Sequence, residues 1–421
     1  MDSSDDYRLS FLSWNPEPRR PEDRVPVTIF TGFLGSGKTT LLKHLLEHRQ
    51  EERFALVIND VGDVNIDAEE FRKQASNENS RVQLIRELTQ GCICCSIGNE
   101  LADAMVYLLE NTHPTHVLIE ASGVANPKNL LTSFYHKNFA GHSLPEAFEI
   151  RNLISVLDSA MFKHEWGLAL ASRARRRHIF LNDPRTPYLE LIMDQIEIAD
   201  VVVMNKTDLL SPEELKEVDG ILAGLNPRAA RFACSEGDLE AAALLDEPRF
   251  DVQKTQRGGT VLQRLSLTPH SPPGSGSGTS VSHHAHVHHG LDSVTFRARR
   301  PVNGERFFNV LRTELPDVIR AKGFYWTEDR PHLCGLLSLA GGILRADWAG
   351  PWFIDMLKYE EVTEDDMPAT VRAVWQDPPI GDRRNEVVLI GVNLDEENIL
   401  SALNACLTEC PDPASFPDSG R

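Results

Sequence analysis

Val27-Thr28-Ile29-Phe30-Thr31-Gly32-Phe33-Leu34-Gly35-Ser36-Gly37-Lys38-Thr39 decides how this chain is read. A short apolar, β-branched run enters the pattern G-x-x-x-x-G-K-[ST], and Leu41, Leu42, Leu45 and Leu46 follow at helical spacing. Strand, glycine-rich turn and helix start, in that order, form a cradle for a phosphate chain. The glycines let backbone N–H groups turn inward, Lys38 puts a point charge beside the β- and γ-phosphates, and the Thr39 hydroxyl can ligate Mg²⁺. Gly32, Gly35, Ser36, Gly37, Lys38, Thr39 and Thr40 are therefore the expected phosphate-binding residues, with Lys38 also expected to act in catalysis.

Outward from this loop, Val27 to Thr31, Phe54 to Asn59, His116 to Glu120, Leu153 to Asp158 and Val201 to Asn205 are predicted strands separated by helical patterns. That rhythm predicts an α/β fold, a P-loop NTPase with a mainly parallel, doubly wound sheet. Residues 267–290 change to Pro, Gly, Ser and His, a composition too poor in apolar residues for a core, and read as a linker. The expected organisation is a tail over 1–23, the nucleotide domain over 24–266, the linker, a smaller α+β domain over 291–412 and a tail over 413–421. In that second domain Val294 to Arg299, Gly323 to Thr327, Leu333 to Leu339 and Val387 to Val392 are predicted strands, with helices near Glu305 to Glu314 and Glu397 to Glu409.

At 421 residues two domains are expected, and a net charge of −19 argues against a nucleic-acid partner. Arg173-Ala174-Arg175-Arg176-Arg177 is a local exception, read as a solvated insertion or, less simply, as a docking patch for an acidic partner. The acidic start and the lack of an apolar run of spanning length imply no signal peptide, no membrane partner and a cytoplasmic location.

Three further segments carry chemistry. Glu120 ends a predicted strand where a carboxylate can serve the Mg²⁺ shell and catalysis, and Gly123 would let the backbone approach a γ-phosphate. Asn205-Lys206-Thr207-Asp208 follows Val201-Val202-Val203-Met204 in the N-K-x-D order that reads guanine. A carboxylate at Asp208 accepts N1–H and N2–H of guanine and finds no such pair on adenine; Asn205 is expected to brace the loops and Lys206 to cover the base. In Gly91-Cys92-Ile93-Cys94-Cys95, three thiols within four residues, once deprotonated, form a soft site suited to Zn²⁺ or another thiophilic metal, with one tetrahedral position open. A C-x-x-C dithiol switch between Cys92 and Cys95, or simple burial, are the competing readings. His283 to His289 reads as a loose metal reservoir or a solvated linker; Cys406 and Cys410 read as buried helix residues.

With these motifs in this order, the chain resembles the CobW-type GTPases, most strongly over Val25 to Asp208 and more weakly through Ala321-Lys322-Gly323-Phe324 and Gly381-Asp382-Arg383-Arg384-Asn385-Glu386. The resemblance implies GTP and Mg²⁺ at Lys38, Thr39 and Glu120, metal at Cys92, Cys94 and Cys95, and guanine at Asp208. Where that family carries Asn-Glu-x-Gly-Glu, this chain has Asn59-Asp60-Val61-Gly62-Asp63, which makes Asp60 the candidate γ-phosphate sensor and catalytic carboxylate.

The expected function is a GTP-hydrolysing metallochaperone that carries Zn²⁺, or else Co²⁺ or Fe²⁺, to a client metalloprotein. GTP would order the segment around Asp60 to Asp67, the cysteines would hold the metal, and hydrolysis would release it. Alternatives are an activator dedicated to one metalloenzyme, of the nitrile-hydratase or cobalamin-pathway type, and a GTP-regulated thiol redox sensor or docking module. No catalytic glutamine or arginine finger stands out, which implies slow intrinsic turnover and activation in trans or by homodimerisation.

Overall fold

The computed structural model describes residues 11–17, 19–49, 52–58, 82–87, 97–123, 127–172, 178–181, 188–251, 291–358 and 362–409, of which 82–87, 97–99, 172, 178–181 and 369 by backbone alone. They fall into two compact units that no single cut separates. Unit one comprises Met1–Lys163, Leu191–Leu222 and Asn226–Thr255; unit two comprises His164–Glu190, Ala223–Leu225 and Gln256–Arg421.

Unit one is built around β1 (Val25–Thr31), followed by α1 (Lys38–His48), β2 (Phe54–Ile58), β3 (Val82–Glu87), α2 (Ile97–Thr112), β4 (His116–Glu120), α3 (Pro127–Tyr135) and β5 (Phe148–Asp158). After β5 come α4 (Ser159–Ser172), β6 (His178–Leu181), α5 (Tyr188–Ile198), β7 (Val201–Asn205), α6 (Pro212–Leu225), β8 (Ala230–Ala233) and α7 (Ala241–Leu245). Seven of the strands form a wholly parallel sheet in the order β3-β2-β4-β1-β5-β7-β8.

Alternate residues of each central strand feed opposite cores, which is why the strands read as unbroken apolar runs. On one face Val27, Ile29, Val117 and Ile119 pack with Leu101, Met105 and Leu108 of α2 and Phe134 of α3. On the other, Phe30, Leu56, Leu118 and Val203 pack with Leu41, Leu42 and Leu45 of α1. From β1 the chain builds β2, β3 and β4 to one side and β5, β7 and β8 to the other. This reversal opens a crevice at the carboxyl end of β1, where such sheets take ligands.

The structure departs from three of these expectations. The stretch 1–23 is not all tail, because Phe11 and Trp14 are buried in the α2 and α3 core. Phe11 N donates to Asp103 Oδ1 (3.1 Å), and the Asn138 amide donates to the Phe11 and Trp14 carbonyls (2.8 and 2.9 Å). The strand expected over Leu153 to Asp158 starts at Phe148, where Phe148 and Ile150 pair with Val25 and Val27 ahead of a register shift that sets Asn152 against Thr28. The segment His164–Glu190, expected within 24–266, belongs to unit two, because β6 pairs in parallel with a strand of that unit's sheet.

Unit two runs β9 (Leu291–Ala298), α8 (Gly304–Asn309), β10 (Val318–Tyr325), β11 (Leu333–Ala340), β12 (Ile343–Pro351), α9 (Phe353–Lys358), α10 (Ala369–Arg372), β13 (Asn385–Val392) and α11 (Glu396–Asn404). Its sheet, in the order β6-β12-β11-β10-β13-β9, is antiparallel except at β6. One face buries Phe296, Ala321, Leu337, Leu344 and Leu389 against Phe307 of α8 and Ile399 and Leu403 of α11. Asp382 of the Gly-Asp-Arg-Arg stretch accepts Phe353 N (3.0 Å) and Ile354 N (3.1 Å), capping α9, and Arg383 Nη2 meets Asp355 Oδ1 at 2.5 Å. Arg384 lies over the Phe324 ring and bonds Glu386 Oε2 (2.8 Å), so this motif holds the fold of its own unit together. The predicted helix to Glu409 stops at Asn404, since Thr408 N is drawn to Pro301 O (2.8 Å).

Candidate nucleotide site and the cysteine segment

The loop between β1 and α1 is shaped by crowding. A side chain on Gly32 would meet the Val156 carbonyl at 2.2 Å, and one on Gly37, with φ +98°, would meet Asn205 Nδ2 at 2.2 Å. Only glycine fits either place. Gly37 is the left-handed N-cap of α1, so the helix begins at Lys38 with its N–H groups directed into the loop. The buried Lys38 ammonium donates to the Gly32 and Phe33 carbonyls (2.9 and 3.3 Å), closing the loop over itself.

One residue on, the Thr39 hydroxyl donates to Glu120 Oε1 at 2.9 Å. A hydroxyl and a carboxylate joined this way, at the start of a helix and the end of β4, form a hard oxygen donor set suited to Mg²⁺. Gly123 makes its close approach to the phosphate loop itself: a Cβ there would lie 2.6 Å from Leu34 N.

Across the cleft, the buried side chain of Asn205 ties three segments together. Its amide nitrogen donates to Ser36 O (2.9 Å), while Oδ1 accepts Gly237 N (3.1 Å) and the Cys234 thiol (3.5 Å). Burial pushes the Cys234 thiol up to about 11, so it stays protonated and able to donate. Lys206 sits in left-handed backbone (φ 58°), its ammonium 2.8 Å from Asp158 Oδ2. Thr207 donates through both N and Oγ1 to Cys234 O (3.2 and 3.0 Å). Asp208 lies on the wall of a cleft of about 650 Å³ that Gly35, Lys38, Thr39 and Thr40 also line.

Sequence reading missed several parts of this wall. Glu236, in the left-handed turn Cys234-Ser235-Glu236-Gly237, lines the cleft together with His44 and Leu209. A side chain on Gly237 would strike Leu41 N at 2.7 Å, so the turn lies directly on α1. The only local signal was a small-residue turn after β8, and β8 itself is a half-exposed edge strand with no apolar run to mark it.

Asp60, Cys92, Cys94 and Cys95 lie outside the described residues, as do the Arg173 to Arg177 run, the histidine-rich stretch and Cys410. Backbone topology fixes where β3, the strand before the cysteines in sequence, ends. β3 runs parallel to β2, and β2 to β4, so Glu87 stands at the same carboxyl edge as Glu120 and the phosphate loop. The next described residue is Ile97, the first of α2. Cys234, Cys334 and Cys406 are buried free thiols. Among the described residues no group of three metal-ligating side chains gathers, and no helix is long and apolar enough to cross a membrane.

A glycine-and-lysine phosphate loop, a Thr–Glu oxygen pair and an N-K-x-D turn around one cleft define a P-loop nucleotide-binding protein. Residues 26–233 match the CobW/HypB/UreG nucleotide-binding domain, and residues 291–407 match the cobalamin synthesis protein cobW C-terminal domain. The chain belongs to the CobW family of P-loop GTPases, enzymes that hydrolyse GTP.

It is 29% identical over 396 residues to zinc-regulated GTPase metalloprotein activator 1 of Dictyostelium discoideum, covering 91% of this chain and 80% of that protein. Zinc chaperone CobW of Pseudomonas aeruginosa is 34% identical over 235 residues, 54% of this chain and 61% of that protein. Zinc chaperone YjiA of Escherichia coli is 25% identical over 337 residues, 78% of this chain and 90% of that protein. Among solved structures, Zn(II)-bound YjiA GTPase from E. coli aligns over 91% of this chain and 99% of that chain, at 20% identity and a TM-score of 0.39.

Proposed function

We propose that this GTPase is a metallochaperone: its nucleotide state sets the affinity of Cys92, Cys94 and Cys95 for a thiophilic metal, Zn²⁺ first, which it delivers to a client metalloprotein in the cytoplasm. The observation that carries the reading is topological. β3, whose last residue precedes the cysteines by five to eight positions in sequence, is an edge strand of the sheet that bears the phosphate loop, with β2 and β4 between it and β1. Three strand spacings of about 4.8 Å put β3 roughly 14 Å from β1. Five extended residues reach about 17 Å. A change at the γ-phosphate is thus within one loop's reach of the thiols.

In this mechanism Asp208 accepts the guanine N–H groups, Asn205 keeps the loops in register, and Lys38 moves from the loop carbonyls to the phosphate oxygens. Mg²⁺, held at Thr39 and Glu120, would neutralise charge on the transferred phosphoryl group. Asp60 responds to the γ-phosphate, and homodimerisation or a client supplies what speeds hydrolysis. The names of the zinc-regulated and zinc-chaperone relatives support zinc over cobalt or iron. The name of the D. discoideum relative also supports a second reading, an activator serving one metalloenzyme.

The test is a titration of Zn²⁺, Co²⁺ and Fe²⁺ with and without a nonhydrolysable GTP analogue, in wild type and Cys94→Ala. The proposal expects nucleotide-dependent zinc affinity that the substitution removes. Metal affinity indifferent to both would sink it. Weak metal binding with a disulfide that forms near the cytosolic potential would instead favour the redox reading.

A further inference from the structure

We propose that Asp158 is a positioning residue for guanine-nucleotide binding: it holds the Lys206 side chain in place as the cover for the base before any nucleotide arrives. This rests on the reading of Asn205 to Asp208 as the guanine-reading turn.

Asp158 is the last residue of β5, and the parallel register sets it beside Asn205, the last residue of β7. The chain therefore brings Lys206 within reach of the Asp158 carboxylate by sheet pairing alone. Both carboxylate oxygens are committed. Oδ1 accepts Met161 N at 2.9 Å, capping the first turn of α4, and Oδ2 meets the Lys206 ammonium at 2.8 Å. The cap fixes the carboxylate, and the carboxylate fixes the ammonium. Only 16% of the Asp158 side chain and 35% of the Lys206 side chain is exposed, so the pair is screened less than a surface pair.

Lys206 needs such an anchor. Its φ of 58° and ψ of 38° are backbone values that residues other than glycine, asparagine and aspartate rarely adopt. Its four-carbon stem would otherwise sample many rotamers, and nucleotide binding would have to freeze them. With the ammonium engaged by Asp158, the stem lines the cleft next to Asp208 as an apolar cover for a base plane. The two carboxylates then divide the work. Asp208 reads the base edge and discriminates between bases, while Asp158 acts through Lys206 on the base face, which all purines share.

This division supplies the test, made on the full chain by displacement of N-methylanthraniloyl-GDP with GDP and IDP. Asn caps a helix as well as Asp, so Asp158→Asn keeps the Met161 bond while removing both the charge and the oxygen that accepts from Lys206. Asp158→Asn is expected to weaken GDP and IDP alike, about tenfold, leaving their ratio unchanged, whereas Asp208→Asn changes the ratio. Lys206→Met should show the same uniform loss, and Asp158→Asn/Lys206→Met should bind no more weakly than Lys206→Met alone. Unaltered affinity in Asp158→Asn, or a further full loss in the double variant, overturns the proposal. Should Asp158→Asn fold poorly, Lys206→Met alone decides: unaltered GDP and IDP affinity there overturns the proposal. A wild type that prefers adenine nucleotides brings down the reading of the turn itself, a signature distinct from either outcome.

Discussion

Asn205→Asp isolates the brace between the phosphate loop and the base-reading side of the cleft. The substitution keeps the shape and the Oδ1 that accepts Gly237 N and the Cys234 thiol, but replaces the donor to Ser36 O with a second acceptor. With Asn205 only 2% exposed, water does not readily make good the loss. Taking the donor from a buried carbonyl costs about 1 to 3 kcal/mol. If the whole loss falls on the nucleotide-competent arrangement, GDP affinity drops about 5- to 150-fold. The sign of the pH response sharpens the test. Burial raises the pKa of the new carboxyl, and below that value its protonated oxygen can donate to Ser36 O again. Affinity relative to wild type should therefore recover as pH falls. Fluorescent GDP titrations from pH 8 to pH 5, with thermal unfolding as the stability control, measure both effects. A variant within threefold of wild type at pH 8, with equal stability, would refute the brace.

Gly37→Ala must place a methyl group 2.2 Å from Asn205 Nδ2 in backbone at φ +98°, and is expected to abolish GDP binding in the same titration. His116, buried and 2.9 Å from Thr28 Oγ1, has its pKa lowered to about 3, first by desolvation and then by Arg151 and Arg49. The unfolded chain takes up this proton near pH 6.5 and the folded chain near 3, so stability present above pH 6.5 is lost as pH falls, by about 1.4 kcal/mol per pH unit within that window. His116→Gln should flatten by that amount the pH dependence of the unfolding free energy obtained from urea titrations. Asp382→Ala removes both caps on α9 and should lower the stability of unit two by about 1 to 2 kcal/mol; GDP affinity, measured alongside, is expected to stay unchanged.

What the sequence revealed of the fold follows burial. β1, β2, β4 and β7 are buried on both faces, so their apolar runs are unbroken and could be placed to within a residue or two. β3 and β8 are the edges of their sheet and β6 one edge of the other; each carries polar residues, such as Gln83 and Arg231, that hide a strand among loops. β12 escaped notice because Arg345 and Asp347 interrupt its apolar residues on the partly exposed face. In the site, residues fixed by spacing were legible: the loop from Gly32 to Thr39, Glu120, and Asn205 to Asp208. Asp158, Cys234, Glu236 and Gly237 act through neighbours distant in sequence, joined only by sheet register and turn geometry, and no local pattern announces them.

The pairing of β6 with β12 has a consequence for synthesis. A ribosome delivers β6 roughly 160 residues before its partner, so this strand must wait through the making of more than a third of the chain before its edge is covered. During that interval its unpaired amides and carbonyls offer a template to other nascent chains. A fragment ending at residue 266 would make the wait permanent, and removing the 178–181 strand from such a fragment should improve its solubility.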